Sequence, residues 1–230
     1  MTATTQASKT LAPIEREKTL GETAYDRLKS AIMTGAFKPD EKVTVRSIAG
    51  ALNVSLTPAR DALSRLITEG ALEAKGPKTV IVPPLNQQVL REVAKIRIAL
   101  EGLAAEAATP KMADRDIDGL ETIQATLNKA MDQEDYATVL AANEDFHFTI
   151  YRQSDMLRLV SIIESLWLRI GPSLNLLYPE FAIHRAGVSN HTEILKGLRR
   201  GEPETVRAAI EKDIKDGFDS LSALLAKQPD

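Results

Sequence analysis

Three histidines are the residues of this 230-residue sequence best suited to metal chemistry: His147, His184 and His191. Asn143 precedes His147 by four positions, a spacing that places both side chains on one face of a helix. Asp213 lies 22 positions after His191, inside the last predicted helix. An amide oxygen, two imidazoles and a carboxylate suit a divalent metal, with Zn²⁺ as the first candidate and Mn²⁺, Ni²⁺ or Fe²⁺ as alternatives.

Each of these residues also has a plainer interpretation. A histidine in a helical bundle is more often a hydrogen-bonded filler of the core, and His184, which shares no such spacing, is interpreted as a loop or pocket-rim residue. Arg97 precedes Glu101 by four positions. It therefore either pairs with that carboxylate or clamps the carboxylate of a bound organic acid, since guanidinium groups bind carboxylates through two hydrogen bonds. The absence of cysteine excludes thiolate ligands and disulfides.

Apolar periodicity places these candidates on helices. We predict helices near residues 87–108, 114–132, 135–153, 156–178, 187–200 and 203–227. In the last of them the apolar residues repeat at intervals of three and four: Val206, Ile210, Ile214, Phe218, Leu221 and Leu225. Helices of this length joined by short loops predict an antiparallel six-helix bundle over residues 85–230.

The first 84 residues follow another pattern. Residues 1–18 are polar and aperiodic, which is typical of a flexible arm. Residues 19–84 predict three short helices and then a β-hairpin that ends at Pro83-Pro84, which we interpret as a stiff hinge. The helices are expected from Leu20 to Gly35, from Val45 to Leu52 and from Ser55 to Gly70, and the two strands at residues 71–74 and 79–82. This order is typical of a winged helix-turn-helix, so the fold class is mainly α, with a DNA-binding module before a six-helix bundle.

A winged helix-turn-helix inserts the start of its third helix into the major groove of DNA. The side chains expected there are Ser55, Leu56, Thr57 and Arg60. Arg46, which opens the preceding helix, is placed to reach a phosphate or a base. Lys75 and Lys78 flank the hairpin tip, where they either contact the DNA backbone or simply keep an exposed turn soluble.

The formal net charge of −3 is an average over two unlike parts. Residues 1–84 hold 12 Lys and Arg against 9 Asp and Glu, whereas residues 85–230 hold 17 against 23. A basic N-terminal part beside an acidic remainder favours two modules with different partners. No apolar run of about 18 residues and no apolar N-terminal core is present, so we expect a cytoplasmic protein without a membrane partner.

Three stretches of the N-terminal part resemble the GntR family of bacterial transcription regulators: YDRLKSAIMTGAFKPDE from Tyr25, IAGALNVS from Ile48 and TPARDAL from Thr57. The resemblance implies that Arg46, Ser55, Arg60 and the wing tip contact operator DNA, together with Thr57. Many members of the family have an arginine where this sequence has leucine, at position 56. Leu56 would instead touch a thymine methyl group, so we expect a different operator sequence.

Residues 88–227 resemble the FCD-type ligand-binding domain of the FadR subfamily, in its VanR-like six-helix branch. The stretches that carry the resemblance are RIALEGLAA from Arg97, NEDFH from Asn143 and NHTEIL from Asn190. Such domains commonly hold one metal with an acidic or amide oxygen and three histidines. Here Asn143 replaces the commoner aspartate and Asp213 stands at the third histidine position, so the summed ligand charge is unchanged. The resemblance thus implies a divalent metal at Asn143, His147, His191 and Asp213.

These observations predict a homodimeric DNA-binding regulator whose operator affinity changes when a small organic acid binds between the metal and Arg97. Repression relieved by a metabolite is the commoner outcome in the family, and activation is the alternative. Two other classes compete. A metal-dependent enzyme lacks support, because the sequence has no H-E-x-x-H motif, nucleophile elbow or phosphate loop. A helical sensor with a degenerate DNA domain is the second rival.

Overall fold

A computed structural model describes residues 18–76, 79–177 and 186–227. Its N-terminal elements are α1 (Leu20–Met33), β1 (Lys42–Val43), α2 (Val45–Leu52), α3 (Leu56–Thr68), β2 (Glu73–Gly76) and β3 (Thr79–Ile81). The helices that follow are α4 (Gln87–Ala108), α5 (Asp114–Asp132), α6 (Tyr136–Arg152), α7 (Leu157–Leu174), α8 (Ala186–Arg200) and α9 (Pro203–Leu225). Short 3-10 turns follow α4 and α7, at Thr109–Lys111 and Asn175–Leu177. The predicted fold class is confirmed.

Local sequence signals explain where the N-terminal helices begin and end. Thr19 caps α1 in a reciprocal pair with Glu22, and Thr44 caps α2 in the same way with Ser47. These side chains satisfy backbone N–H groups that have no partner inside the helix. Asn53 ends α2 in the left-handed conformation, with a φ of 51°, which lets the chain turn sharply into α3.

The wing is a three-stranded antiparallel sheet with strand order β1-β3-β2, rather than the two-stranded hairpin that the sequence predicted. Lys42 and Val43 pair with Ile81 and Val80. A strand of two residues is too short to show an alternating pattern, so only its distant partner reveals it. Strand β2 also begins later than predicted, because the backbone N–H groups of Ala71 and Leu72 donate to the carbonyl of Leu66 near the end of α3.

Helices α4 to α9 form the bundle. Helix α9 packs along both α4 and α8, α5 packs against α6 and α8, and α4 contacts α6 and α7. Their apolar stripes meet in a core that contains Phe146, Tyr151, Ile163, Trp167 and Ile194, each buried. Helix α7 ends four residues earlier than the sequence predicted, before the 3-10 turn. None of the described helices has the length and apolar character required to cross a membrane.

The N-terminal part rests on the bundle through α1 and α7. Lys29 of α1 forms an ion pair with Glu164 of α7, with 2.5 Å between Nζ and Oε2. Gly171 of α7 approaches the backbone at Ile32 and Met33. We call this contact, defined by Lys29, Ile32, Glu164 and Gly171, the α1–α7 seam.

Candidate functional site

A cavity of about 80 Å³ lies inside the bundle, among α4, α6, α7, α8 and α9. Its walls are mainly apolar: Leu90, Val93, Ala94, Leu140, Trp167, Ile170, Leu174, Leu177, Gly187, Ile214, Gly217, Phe218 and Leu221. Its polar lining consists of Arg97, Asn143, His147 and Asp213. An apolar enclosure with a few convergent polar groups is the usual form of a small-molecule site, and its size suits a compact ligand.

Three of the predicted ligands meet at one side of this cavity. The Nε2 atom of His147 lies 3.3 Å from Oδ2 of Asp213 and 3.3 Å from Nε2 of His191. One donor atom from each residue lies within 4.8 Å of the other two. Among the described residues this is the one group of His, Asp and Glu side chains so arranged. The residues come from α6, α8 and α9, so tertiary packing brings them together.

Asn143 lies one helical turn before His147 and lines the same cavity. Its side chain is partly buried and makes no hydrogen bond to another described residue. Two imidazoles, a carboxylate and a free amide oxygen are nitrogen and oxygen donors that Zn²⁺ and related divalent metals accept. These four side chains therefore suit the divalent metal that the resemblance to FCD-type domains implies.

Burial and neighbouring groups put His191 and Asp213 in the forms that bind metals. Burial lowers the pKa of His191 to about 3, with the charge of Asp213 opposing part of that effect. Burial alone would raise the pKa of Asp213, but its interaction with His147 and the neighbouring His191 and Asn190 lower it to about 2. At neutral pH, His191 is thus a neutral imidazole and Asp213 a carboxylate.

Glu101, on α4, is fully buried and is the partner of Arg97, which lines the cavity. Its carboxylate accepts hydrogen bonds from Nε and Nη2 of Arg97, at 2.5 and 3.1 Å, from Nε1 of Trp167 at 3.1 Å and from the hydroxyl of Tyr151 at 2.7 Å. The guanidinium of Arg97 also lies 4.7 Å from the centre of the Trp167 ring. Two interpretations of Arg97 were open, and the structure shows the pair with Glu101. Its remaining nitrogen, Nη1, has no hydrogen bond to a described residue.

Sequence reasoning missed the residues that hold the ligands in place. Oε1 of Gln124 accepts a hydrogen bond from Nδ1 of His191 at 2.6 Å, and Asn190 donates to Asp213 at 3.2 Å. Tyr151 lies 3.1 Å from Nδ1 of His147. A signal for Gln124 was present: it occupies a position in the otherwise apolar stripe of α5, where a polar residue requires a buried partner.

The residues expected to read DNA lie together on the surface of the N-terminal part. Ser55, Leu56, Thr57 and Arg60 are exposed at the start of α3, and Arg46 is exposed at the start of α2. Leu56 keeps 45% of its surface exposed, which is unusual for leucine. Among the described residues neither arginine has a hydrogen-bond or ion-pair partner.

The structure adds two details about the residues expected to contact DNA. Ser55 occupies the N-cap position of α3 but makes no capping hydrogen bond, so its hydroxyl is not engaged in the helix. Lys75 is exposed on the wing and pairs with Glu73 at 2.7 Å. Lys78 lies outside the described residues, as does His184.

A winged helix-turn-helix joined to a helical ligand-binding domain defines a class of protein, the DNA-binding transcriptional regulators. Comparison with known proteins supports this directly. Residues 20–82 match the bacterial regulatory proteins of the gntR family, and residues 92–216 match the FCD domain. This chain belongs to the gntR family of bacterial regulators and carries an FCD domain, which binds small-molecule effectors. The members of the family are transcriptional regulators and not enzymes, so the rival interpretation of the chain as a metal-dependent enzyme receives no support.

Individual relatives agree with this assignment. The chain is 32% identical to the HTH-type transcriptional regulator McbR of Escherichia coli (strain K12) over 187 residues, which cover 80% of this chain and 84% of McbR. It is 25% identical to the probable D-xylose utilization operon transcriptional repressor of Paenarthrobacter nicotinovorans, over 84% of each chain. Among solved structures, E. coli McbR/YncC matches with a TM-score of 0.83 at 28% identity, covering 89% of this chain and 98% of that one.

Proposed function

We propose that this protein is a metabolite-responsive repressor, acting in the cytoplasm, whose affinity for operator DNA falls when a compact carboxylate binds beside a divalent metal in the bundle. The observation that carries the proposal is the convergence of His147, His191 and Asp213, of which His147 and Asp213 line a mainly apolar cavity. A relative whose name includes the word repressor supports the direction of the effect.

DNA reading is assigned to the exposed start of α3, within a DNA-binding domain of residues 19–84. Arg46 and Arg60 have no intramolecular partners among the described residues, so their guanidinium groups are available to phosphates or guanine. Leu56 presents an apolar surface that suits a thymine methyl group. Lys75 of the wing, and Lys78, would contact the DNA backbone beside the groove.

Effector binding is assigned to the domain of residues 85–230. We propose that His147, His191 and Asp213, with Asn143, would hold the metal, which would supply a Lewis-acidic site for an oxygen of the ligand. A divalent ion beside one carboxylate, that of Asp213, leaves a positive charge that a carboxylate effector would balance. Arg97 lines the same cavity, and its unpaired Nη1 is the nitrogen available to the effector.

The α1–α7 seam is a physical connection between the two functions. Trp167, Ile170 and Leu174 line the cavity, and Glu164 and Gly171, on the adjoining face of the same helix, contact α1. A ligand that binds more tightly when α7 is in one position than in another would favour that position. Because α1 packs on α7, the ligand would also shift the balance between orientations of the N-terminal part relative to the bundle. This is the route by which we propose that effector binding reaches the DNA-reading surface.

Operator binding of this type usually requires two copies at successive half-sites, and we propose a homodimer. Ile96 and Leu103 are seven residues apart on α4, which places them on one face of the helix, and each keeps 39% of its surface exposed. Ile162 of α7 is also exposed, at 50%. Such apolar side chains are available for contact with a second copy.

An electrophoretic mobility shift assay on the DNA upstream of the chain's own gene tests the proposal. We expect a specific complex that is weakened by a member of a panel of small organic acids when Zn²⁺ is present. The His147→Ala variant should bind the same DNA without responding to the acid. No DNA complex would indicate a degenerate DNA domain. A purified protein without metal by elemental analysis, together with an unaltered response of His147→Ala, would rule out the metal.

A further inference from the structure

The buried hydrogen bonds of Tyr151 specify where the hydrogens of His147 must lie. Tyr151 donates to Oε2 of Glu101 at 2.7 Å, and its oxygen lies 3.1 Å from Nδ1 of His147. A tyrosine hydroxyl has a single hydrogen to donate. Because that hydrogen goes to Glu101, the bond between Tyr151 and His147 forms only when Nδ1 carries a hydrogen and donates it to the tyrosine oxygen.

The Tyr151 hydroxyl cannot rotate to donate to His147 without losing its hydrogen bond to Glu101, because the Glu101 carboxylate has no hydrogen to donate in return. It accepts from Arg97 and Trp167 as well, so every group around it is a donor. Tyr151 and Glu101 are both fully buried, and water is not at hand to replace either bond. In the neutral ring, the arrangement therefore leaves Nε2, the atom that faces Asp213 and His191, as the nitrogen of His147 with the free lone pair.

His191 is held in the same way from another side. Its Nδ1 lies 2.6 Å from Oε1 of Gln124, an amide oxygen and therefore an acceptor. The amide nitrogen of Gln124 donates to Oδ1 of Asn128 at 2.9 Å, in agreement with this orientation of the amide. Phe146 stacks on the His191 ring with centroids 4.1 Å apart and an angle of 5° between the planes, so this packing also holds the plane of the His191 ring in one orientation.

We propose that Tyr151 and Gln124 are positioning residues that keep the hydrogens of His147 and His191 on Nδ1 and aim both Nε2 lone pairs at a single point. The inference deepens the proposed metal site and rests on it for its purpose. The two Nε2 atoms lie 3.3 Å apart and, with the Asp213 carboxylate, form a set of three acceptors. One cation can bind all three, and a divalent metal is the cation that imidazole nitrogens bind.

The first test needs no metal. We would label the histidines with ¹⁵N and record long-range ¹H–¹⁵N correlations of the metal-free protein at pH 8, where histidine side chains are ordinarily neutral. The protein has three histidines, so two variants, His184→Gln and His191→Gln, assign the signals of all three rings. We expect hydrogen on Nδ1 in both His147 and His191, although free histidine in water prefers hydrogen on Nε2. Hydrogen on Nε2 in either ring overturns the proposal for that residue.

The second test uses zinc alone, by competition with a chelator. Tyr151→Phe and Gln124→Met each remove the acceptor while preserving the size of the side chain, and we expect each to weaken zinc binding by about 10- to 100-fold. Tyr25→Phe is the matched control, because the Tyr25 hydroxyl also donates to a carboxylate, that of Glu69, at 2.7 Å, far from the cavity. It should leave zinc affinity and the histidine spectra unchanged.

The two tests separate the possible failures. If the wild-type protein binds no zinc, the proposed metal site is wrong, while the histidine spectra still decide whether Tyr151 and Gln124 set the tautomers. If the wild-type protein binds zinc and Tyr151→Phe binds it equally well with hydrogen still on Nδ1 of His147, the positioning role is overturned. A shift of hydrogen to Nε2 in Tyr151→Phe, with weaker zinc binding, supports it.

Discussion

Gly171 of α7 lies so close to Ile32 of α1 that a Cβ atom at position 171 would stand 2.5 Å from the Ile32 carbonyl oxygen. The Cα atom of Met33 would lie 2.7 Å from the same Cβ. Real Cβ atoms do not approach a backbone this closely, so any other residue at position 171 requires α1 and α7 to separate. The seam between the DNA-binding and effector-binding domains is therefore specified by the absence of a side chain.

We expect Gly171→Ala to lower the free energy of unfolding by about 1–3 kcal/mol, because overpacking forces the backbone apart. It should also reduce the change in DNA affinity that an effector produces. Gly119→Ala is the control, since Gly119 lies in α5 with open space around its Cα, and there alanine should stabilise by about 0.5–1 kcal/mol. Urea denaturation measures both. Equal effects of the two substitutions would contradict a tight seam.

Glu101→Gln should destabilise the protein by about 3–5 kcal/mol, because it leaves the guanidinium of Arg97 buried without a counter-charge. Glu106→Gln provides the comparison. Its partner is Arg207, at 2.8 Å, but this pair is partly exposed and screened by water, so its loss should change the stability far less. Thermal or urea unfolding distinguishes the two, and a loss below about 1 kcal/mol for Glu101→Gln would show that Arg97 finds another partner.

Arg60→Ala should weaken operator binding by about 1–3 kcal/mol if the guanidinium reads guanine, or reduce the salt dependence of binding if it contacts phosphate. Fluorescence anisotropy at several salt concentrations separates these outcomes. Arg158→Ala is the control, because Arg158 is exposed on α7 in the bundle. An Arg60→Ala protein with unchanged affinity and unchanged salt dependence would place the DNA on another surface.

The stability of the protein should fall between pH 7.5 and pH 5 because of His191. Burial lowers its pKa to about 3 from 6.5, so below pH 6.5 the unfolded chain binds a proton that the folded chain does not. At pH 5 this residue should cost about 2 kcal/mol of folding stability. The stability that Asp213 supplies is present above pH 3.8 and is lost as the pH falls towards its lowered pKa of about 2, outside this range.

His191→Gln is the variant that isolates this effect. Its urea denaturation midpoint should change less between pH 7.5 and pH 5 than that of the wild-type protein, since His147 and His184 are present in both. An identical pH dependence in the two proteins would mean that His191 is readily protonated in the folded state.

The sequence by itself determined the order of the helices, the fold class and the candidate metal ligands. Apolar residues that recur at intervals of three and four specify helices, because only one face of each helix meets the core. Glycine, asparagine and threonine mark the ends of the helices through local backbone preferences. The four-residue spacings of Asn143 with His147 and of Arg97 with Glu101 follow from helical geometry alone.

Tertiary structure decided what these residues touch. Strand β1 exists only because Lys42 and Val43 meet β3, and Glu101 becomes the centre of a buried network only because α4, α6 and α7 pack together. The close approach at Gly171 and the contact of Gln124 with His191 likewise join residues far apart in the chain. Local periodicity specifies which face of a helix is buried, but not which partner lies opposite, because that depends on the packing of all the helices at once.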